Sequence, residues 1–180
     1  MGKKLTVLVA VAAVAAMVLA GVSVVVAGNE KMPFDRLKLL VGEWENKNSA
    51  FPVRITYTLV SGGSALMERM QPANEPEMIT MYSLDGDHIL ATHYCSQGNQ
   101  PQMKTESIKT DSDKYTFSLV SVSGLKTPDE GHMVGLTLML VDKDHLKQEW
   151  KYLDKGKTSS ETYEFQRRPE KSATIVPSGQ

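Results

Sequence analysis

Apolar and polar residues alternate along most of this chain, in short runs separated by turn residues. In residues 145–153, Leu146, Trp150 and Tyr152 fall on one face, and charged residues such as Glu149 fall on the other. Successive side chains of a strand point to opposite faces of a sheet, so a period of two predicts strands that are buried on one side. This rhythm begins near residue 42 and continues to residue 168.

Turn residues break this rhythm at intervals of roughly ten residues, as in all-β domains. SGG (61–63), DGD (85–87) and DKD (142–144) are typical of turns between paired strands. The predicted strands are a segment around Trp44 and residues 53–60, 64–71, 78–84, 88–95, 103–110, 114–122, 132–141, 145–153 and 159–167. Strands joined by short turns predict an antiparallel up-and-down meander. Since an open sheet of about ten strands would expose two edges, we expect an all-β closed barrel.

Two segments depart from the period of two. Residues 34–42 predict one short helix before the first strand, because their apolar residues recur at helical spacing. Those residues are Phe34, Leu37, Leu40 and Val41, with Gly42 as the stop. The barrel domain is therefore expected at residues 34–168. The polar tail 169–180 contains two prolines and is expected to be disordered.

Residues 1–27 form a separate N-terminal segment. Lys3 and Lys4 precede an apolar run that ends at Val26 and Ala27. Cations before an apolar core and a small-residue cleavage site are typical of an export signal peptide. The run 5–27 also exceeds the roughly 20 residues that span a bilayer, so an uncleaved membrane anchor is the alternative. Both interpretations predict a periplasmic or extracellular barrel, anchored to the membrane by residues 5–27 in the second case.

Charge and cysteine content narrow the function classes. The formal net charge is −1, whereas proteins that bind nucleic acid need basic patches to neutralise phosphate. We therefore expect no nucleic-acid partner. Cys95 is the single cysteine, so no disulfide can form within the chain. Stability must come from the core and the sheet.

Gly42 and Trp44 form a Gly-x-Trp motif that follows the predicted helix and opens the strand meander. Together with an arginine at the end of the last strand, this resembles the calycin superfamily of lipocalins, fatty-acid-binding proteins and nitrobindin-like barrels. The resemblance implies a calycin-like barrel in which Trp44 packs under Arg167 or Arg168. Arg167 is preferred because it shares the face of Tyr163. A guanidinium over an indole gains about 0.5–2 kcal/mol.

The wider pattern resembles a bacterial exported domain of unknown function within that superfamily. The segments LLVGEW, SGGSALMERM and THYCSQGNQPQM carry this resemblance, which covers roughly residues 34–168. The superfamily includes carriers and haem proteins, so the resemblance does not supply one function. In nitrobindin-like barrels a histidine of a late strand binds the iron. The late histidines here, His132 and His145, stand at strand starts beside turn residues, so that role does not carry over to them.

The densest chemistry in the sequence lies between Leu84 and Met103. His93 and Cys95 share one face of a strand at a separation of about 7 Å. That distance is too long for the hydrogen bond between imidazole and thiol that nucleophilic catalysis requires. No CxxC or HExxH spacing marks a metal site either. The sequence therefore indicates no metal and identifies no cofactor.

We expect this barrel to bind a small hydrophobic or amphipathic molecule in its lumen, without enzymatic activity. The predicted ligand-binding residues are Glu68, His93, Cys95, Asn99, Gln100, Met103 and Tyr57, with Asn99 and Gln100 on a loop at the mouth. One alternative is an extracytoplasmic enzyme that uses Glu68 and His93. Another is a structural barrel whose interior is filled by side chains.

Overall fold

The computed structural model describes residues 33–46, 52–109 and 112–169 as one antiparallel barrel with a short helix before it. The predicted N-terminal segment 1–27 lies outside the described residues, and so does the predicted tail from residue 170 onwards. Helix α1 (Pro33–Leu37) continues into a 3-10 turn (Lys38–Leu40). In the described part of the chain, no helix has the length and apolar character needed to cross a membrane.

Ten strands close the barrel, which confirms the predicted fold class. They are β1 (Gly42–Asn46), β2 (Val53–Val60), β3 (Ala65–Pro72), β4 (Met78–Asp85), β5 (His88–Tyr94), β6 (Gln100–Thr105), β7 (Lys114–Ser123), β8 (His132–Leu140), β9 (His145–Asp154) and β10 (Lys157–Arg167). Each strand pairs with the next in the chain, and β1 pairs with β10. Closure leaves none of the ten described strands as a free edge that could template association with other chains.

The predicted helix 34–42 is too long at its C-terminal end. The helical backbone ends at Leu40, and Val41 is exposed instead of sharing the buried face. The reason is Gly42, which opens β1 with a φ of +125° that only glycine adopts readily. A side chain there would also meet the Arg167 guanidinium, whose Nη1 lies 3.0 Å from the position of an added Cβ.

Strand β6 begins and ends earlier than the predicted 103–110. Gln100 and Pro101, predicted as loop residues, are its first two residues. The turn before them is tight, because the Gly98 amide donates to the Cys95 carbonyl at 2.9 Å. The proline is tolerated beside a β-bulge between Gln102 and Met103, where the ladder is already interrupted.

The two ends of the barrel differ in how they are filled. At the helix end, where β1 begins and β10 ends, large apolar side chains pack the interior under α1. This filled half contains Phe34, Leu37, Leu40, Trp44, Tyr115, Phe117 and Phe165, all of them buried. At the other end, where β9 ends and β10 begins, the interior opens into a cavity. We call this the cavity end.

Trp44 and Arg167 close the seam between the first and last strands. They are directly paired across β1 and β10, and the Arg167 Cζ lies 4.0 Å from the Trp44 ring centroid. The guanidinium also donates hydrogen bonds to the carbonyl oxygens of Val41 and Leu39, each at 2.7 Å. The Trp44 indole N–H donates to the Leu40 carbonyl at 2.7 Å. The pair therefore ties the segment before β1 to the end of β10.

Replacing Arg167 with lysine is expected to lower the free energy of unfolding by about 1–2 kcal/mol, because one ammonium group cannot bond two carbonyls and cover the indole together. Arg168→Lys is the matched control, since Arg168 reaches outward to Glu43 and an ion pair at the surface is worth at most about 1 kcal/mol. Urea unfolding of both variants measures the difference. Equal losses would contradict the role given to Arg167.

Candidate functional site

A cavity of about 500 Å³ occupies the cavity end of the barrel. Its apolar wall includes the thioethers of Met70, Met78 and Met133 and the indole of Trp150. Alternation places Met70, Met78 and Trp150 inward on β3, β4 and β9, and the bulge between Met133 and Gly135 turns Met133 inward on β8. The remaining lining groups are polar or aromatic and are described below, so the space is amphipathic.

His93 is the buried polar group of this wall. Its side chain is 1% exposed, and its Nδ1 lies 2.9 Å from the Thr80 hydroxyl oxygen on the neighbouring strand. Its ring stands 4.7 Å from that of Trp150, centroid to centroid. The other ring nitrogen, Nε2, is buried and has no hydrogen-bond partner. Burial lowers the pKa of His93 to about 4, so the imidazole is neutral at neutral pH.

Glu68 forms a second buried polar group, deeper in the barrel. Its Oε2 accepts hydrogen bonds from the hydroxyls of Tyr57 at 2.6 Å and Tyr82 at 2.8 Å. It also accepts one from the Gln148 Nε2 at 3.0 Å. Burial raises the pKa of Glu68, and the three donated bonds oppose that rise. We call Glu68, Tyr57, Tyr82 and Gln148 the floor network.

Trp150 connects the cavity wall to the floor network. Its indole N–H donates to the Gln148 Oε1 at 2.9 Å. The amide of the same Gln148 donates to the Tyr57 hydroxyl at 2.7 Å. These bonds fix the orientation of an indole that lines the cavity, so the wall is rigid at this point.

Glu68 and His93 do not act on one another directly. In the register of the sheet, Thr80 of β4 stands between them, paired with Glu68 on one side and His93 on the other. Among the described residues, no hydrogen bond joins the two side chains, and the cavity lining includes His93 but not Glu68. The geometry therefore provides no shared acid–base centre.

The other predicted ligand-binding residues divide by location. Cys95 lies half-buried in the cavity wall. Tyr57 belongs to the floor network, and Met103 is buried in the core. Asn99 and Gln100 do not line the cavity. They brace the turn before β6, through bonds from Asn99 Nδ2 to the Gly131 carbonyl at 3.0 Å and from Gln100 Nε2 to the Gly98 carbonyl at 2.8 Å.

Sequence reasoning missed Gln148, Tyr82 and Thr80 as inward polar residues. The signal was present in each case. Gln148 lies midway between Leu146 and Trp150 in the alternation of β9, and Thr80 and Tyr82 share the face of Met78. Polar residues at buried positions of a strand indicate hydrogen-bonded partners inside the barrel.

The late-strand histidines, which lie outside the cavity, have other hydrogen-bond partners. His145 is exposed, with its Nδ1 2.9 Å from the Asp142 carboxylate. His132 is buried at the start of β8, and its Nδ1 lies 2.7 Å from the Glu130 carbonyl oxygen. In the part of the chain that the structure describes, no group of three or more His, Cys, Asp or Glu side chains could hold a metal ion.

Comparisons with known proteins bear on the fold. No family model matches this sequence, and no curated protein matches it. The crystal structure of Rv2717c from M. tuberculosis is similar, with a TM-score of 0.59 and 13% identity over 76% of this chain and 98% of that chain. A protein of unknown function from the DUF3598 family of Nostoc punctiforme PCC 73102 has a TM-score of 0.48 and 14% identity, over 74% of this chain and 49% of that chain. The ten-strand barrel and its likeness to Rv2717c fit a calycin-like fold.

Proposed function

We propose that this protein is an exported, lipocalin-like member of the calycin superfamily that binds a small amphipathic molecule in the cavity, without enzymatic activity. The cavity volume of about 500 Å³ falls within the range of small-molecule sites. Its apolar wall carries a few polar groups, which is the usual composition of such sites. The filled half of the barrel confines the ligand to the cavity end.

The observation that carries this proposal is the unpartnered Nε2 of His93. A buried polar atom without a partner costs about 1–3 kcal/mol, and native structures contain few of them. A ligand group in the cavity would supply the missing hydrogen bond. If the Thr80 hydroxyl donates to Nδ1, the neutral imidazole carries its proton on Nε2 and offers an N–H there. If Nδ1 donates to Thr80 instead, Nε2 offers a lone pair.

The N-terminal pattern supports export. Lys3, Lys4 and the apolar run to Ala27 would carry the barrel out of the cytoplasm. If that segment stays attached, the barrel is tethered to the membrane through it. The ligand is then a molecule of the periplasm or the extracellular space, and no nucleic acid is involved.

Binding is expected to change the fluorescence of Trp150, because its indole lines the cavity. Titration with octanol or decanol should give a saturable change that is absent from a Trp150→Phe variant. Trp44, the other tryptophan, lies in the filled half and should not respond. Cys95 should also react more slowly with N-ethylmaleimide when the alcohol is present.

A pair of substitutions on β3 locates the binding site. Met70→Trp fills the cavity and is expected to weaken binding by about tenfold or more, whereas Met67→Trp lies on the outer face and should leave it unchanged. Thermal unfolding of both variants checks that they are folded. The absence of a saturable signal, or an equal effect of both substitutions, would overturn the proposal.

A further inference from the structure

We infer that the cavity prefers a positively charged ligand, an organic ammonium ion with an apolar body, over the corresponding carboxylate. This inference rests on the proposed function and names the ligand class for the same site. It follows from the charges, aromatic rings and neutral imidazole that surround the cavity.

The charges that line the cavity all have one sign. Glu75, in the turn between β3 and β4, and Glu161, on β10, are lining residues, and no lysine or arginine is among them. Within the described ranges 33–46, 52–109 and 112–169, neither carboxylate has an ion-pair partner. We call the edge of the cavity that carries Glu75 and Glu161 the rim. Two carboxylates there without ion-pair partners attract a cation and repel an anion.

Both carboxylates face the same space. Glu161 pairs directly with Trp150 across β9 and β10 and shares its inward face. Burial raises the pKa of Tyr163, a lining phenol, and the hydrogen bond to the Glu161 carboxylate, the charge of Glu161 and then that of Glu75 raise it further. The two acidic groups therefore act together on one part of the rim, although they come from different elements.

Aromatic rings complete a surface that suits a cation. Trp150, Tyr152 and Tyr163 line the cavity, and the faces of indole and phenol rings attract ammonium groups. The Tyr152 hydroxyl is held by the side-chain amide of Gln97, at 2.8 Å to Nε2 and 3.0 Å to Oε1. These two hydrogen bonds hold the Tyr152 hydroxyl in place beside the carboxylates.

His93 supplies the independent sign that a ligand enters. Its side chain is 99% buried, lines the cavity and has an unpartnered Nε2, which a polar group of a bound molecule could satisfy. Because the imidazole is neutral, it adds no positive charge that would repel a cation. The charged group of the ligand then lies at the rim, with its apolar body against Met70 and Met78.

Three probes that each contain eight carbon atoms test this preference: octylammonium, octanol and octanoate, each titrated below its micelle concentration. We expect the ammonium ion to bind about tenfold tighter than octanoate at low salt, with octanol between them. Added salt should reduce the ratio, because the carboxylates are near solvent. Trp150 fluorescence and calorimetry on the whole protein give the affinities.

Matched variants assign the preference to its residues. Glu75→Gln combined with Glu161→Gln should bring the ammonium-to-octanoate ratio to within about twofold of unity. Glu106→Gln combined with Glu164→Gln removes the same charge outside the cavity lining and should keep most of the ratio.

The outcomes separate this inference from the proposed function. If octanol binds but octanoate equals or exceeds the ammonium ion, the inference is overturned while the proposed function stands. If the ratio persists in the first double variant, the assignment to Glu75 and Glu161 is overturned. If none of the three probes binds, the proposed function fails and the inference fails with it.

Discussion

Acidification from pH 7 to pH 4 is expected to lower the free energy of unfolding of the wild-type protein by about 3 kcal/mol more than that of a His93→Gln variant. The effect comes from one imidazole. Its folded pKa is about 4, because the ring is buried beside Thr80 and Trp150 with no carboxylate in contact. In the unfolded chain the same group titrates near 6.5.

The sign follows from proton binding. Between pH 6.5 and pH 4 the unfolded chain binds a proton that the folded chain does not, so the unfolded state gains stability as the pH falls. The contribution of His93 is thus fully present above pH 6.5 and declines through that window. Glu68 acts in the opposite direction, since its raised pKa makes its contribution largest at low pH and lost as the pH rises.

The comparison of wild type with His93→Gln isolates the imidazole, because both proteins retain Glu68. Glutamine keeps a polar group near the Thr80 hydroxyl and does not titrate. Urea unfolding at intervals from pH 7 to pH 4 gives the difference in free energy at each pH. A difference that stays constant across this range would show that His93 is not desolvated as described.

Replacing Glu68 with leucine is expected to lower the free energy of unfolding by about 3 kcal/mol or more. The substitution leaves the hydroxyls of Tyr57 and Tyr82 and an amide proton of Gln148 inside the barrel without their shared acceptor. Glu68→Gln keeps the volume and an acceptor oxygen, so its loss should be about 1 kcal/mol. Chemical unfolding at pH 7 measures both.

A third variant tests the cause. Combining Glu68→Leu with Tyr57→Phe and Tyr82→Phe removes the acceptor and two of its donors together, and should recover part of the lost stability. A triple variant less stable than Glu68→Leu would contradict the account in which unpaired donors cause the loss.

The fold could be predicted because the period of two is a local signal. Val53–Val60 is strand β2 with the bounds that its alternation indicates, and the turn at Asp85–Asp87 joins β4 to β5. The wrong predictions concern residues whose conformation is set by contacts with distant parts of the chain. Because proline has no backbone N–H to donate, Pro101 was predicted to lie in a loop. In the structure it pairs with Val122 beside a bulge.

The candidate site was harder to predict than the fold. Alternation says that His93 faces inward, but it does not say at what depth the filled half ends. That depth is set by side chains from several strands, among them Tyr57, Tyr82 and Gln148, whose meeting depends on the closure of the barrel. The sequence did not predict the acidic residues of the rim for the same reason. Glu75 and Glu161 are far apart in the sequence and line the same cavity only in the folded barrel.

The seam between β1 and β10 also has a consequence for biogenesis. Its partners, Trp44 and Arg167, lie at opposite ends of the barrel sequence, so synthesis of nearly the whole domain must precede the closing contact. Until then a nascent or truncated chain presents unpaired backbone on two strands, the form most prone to aggregate. Premature stops shortly before Arg167 should therefore yield insoluble protein rather than a slightly weakened barrel.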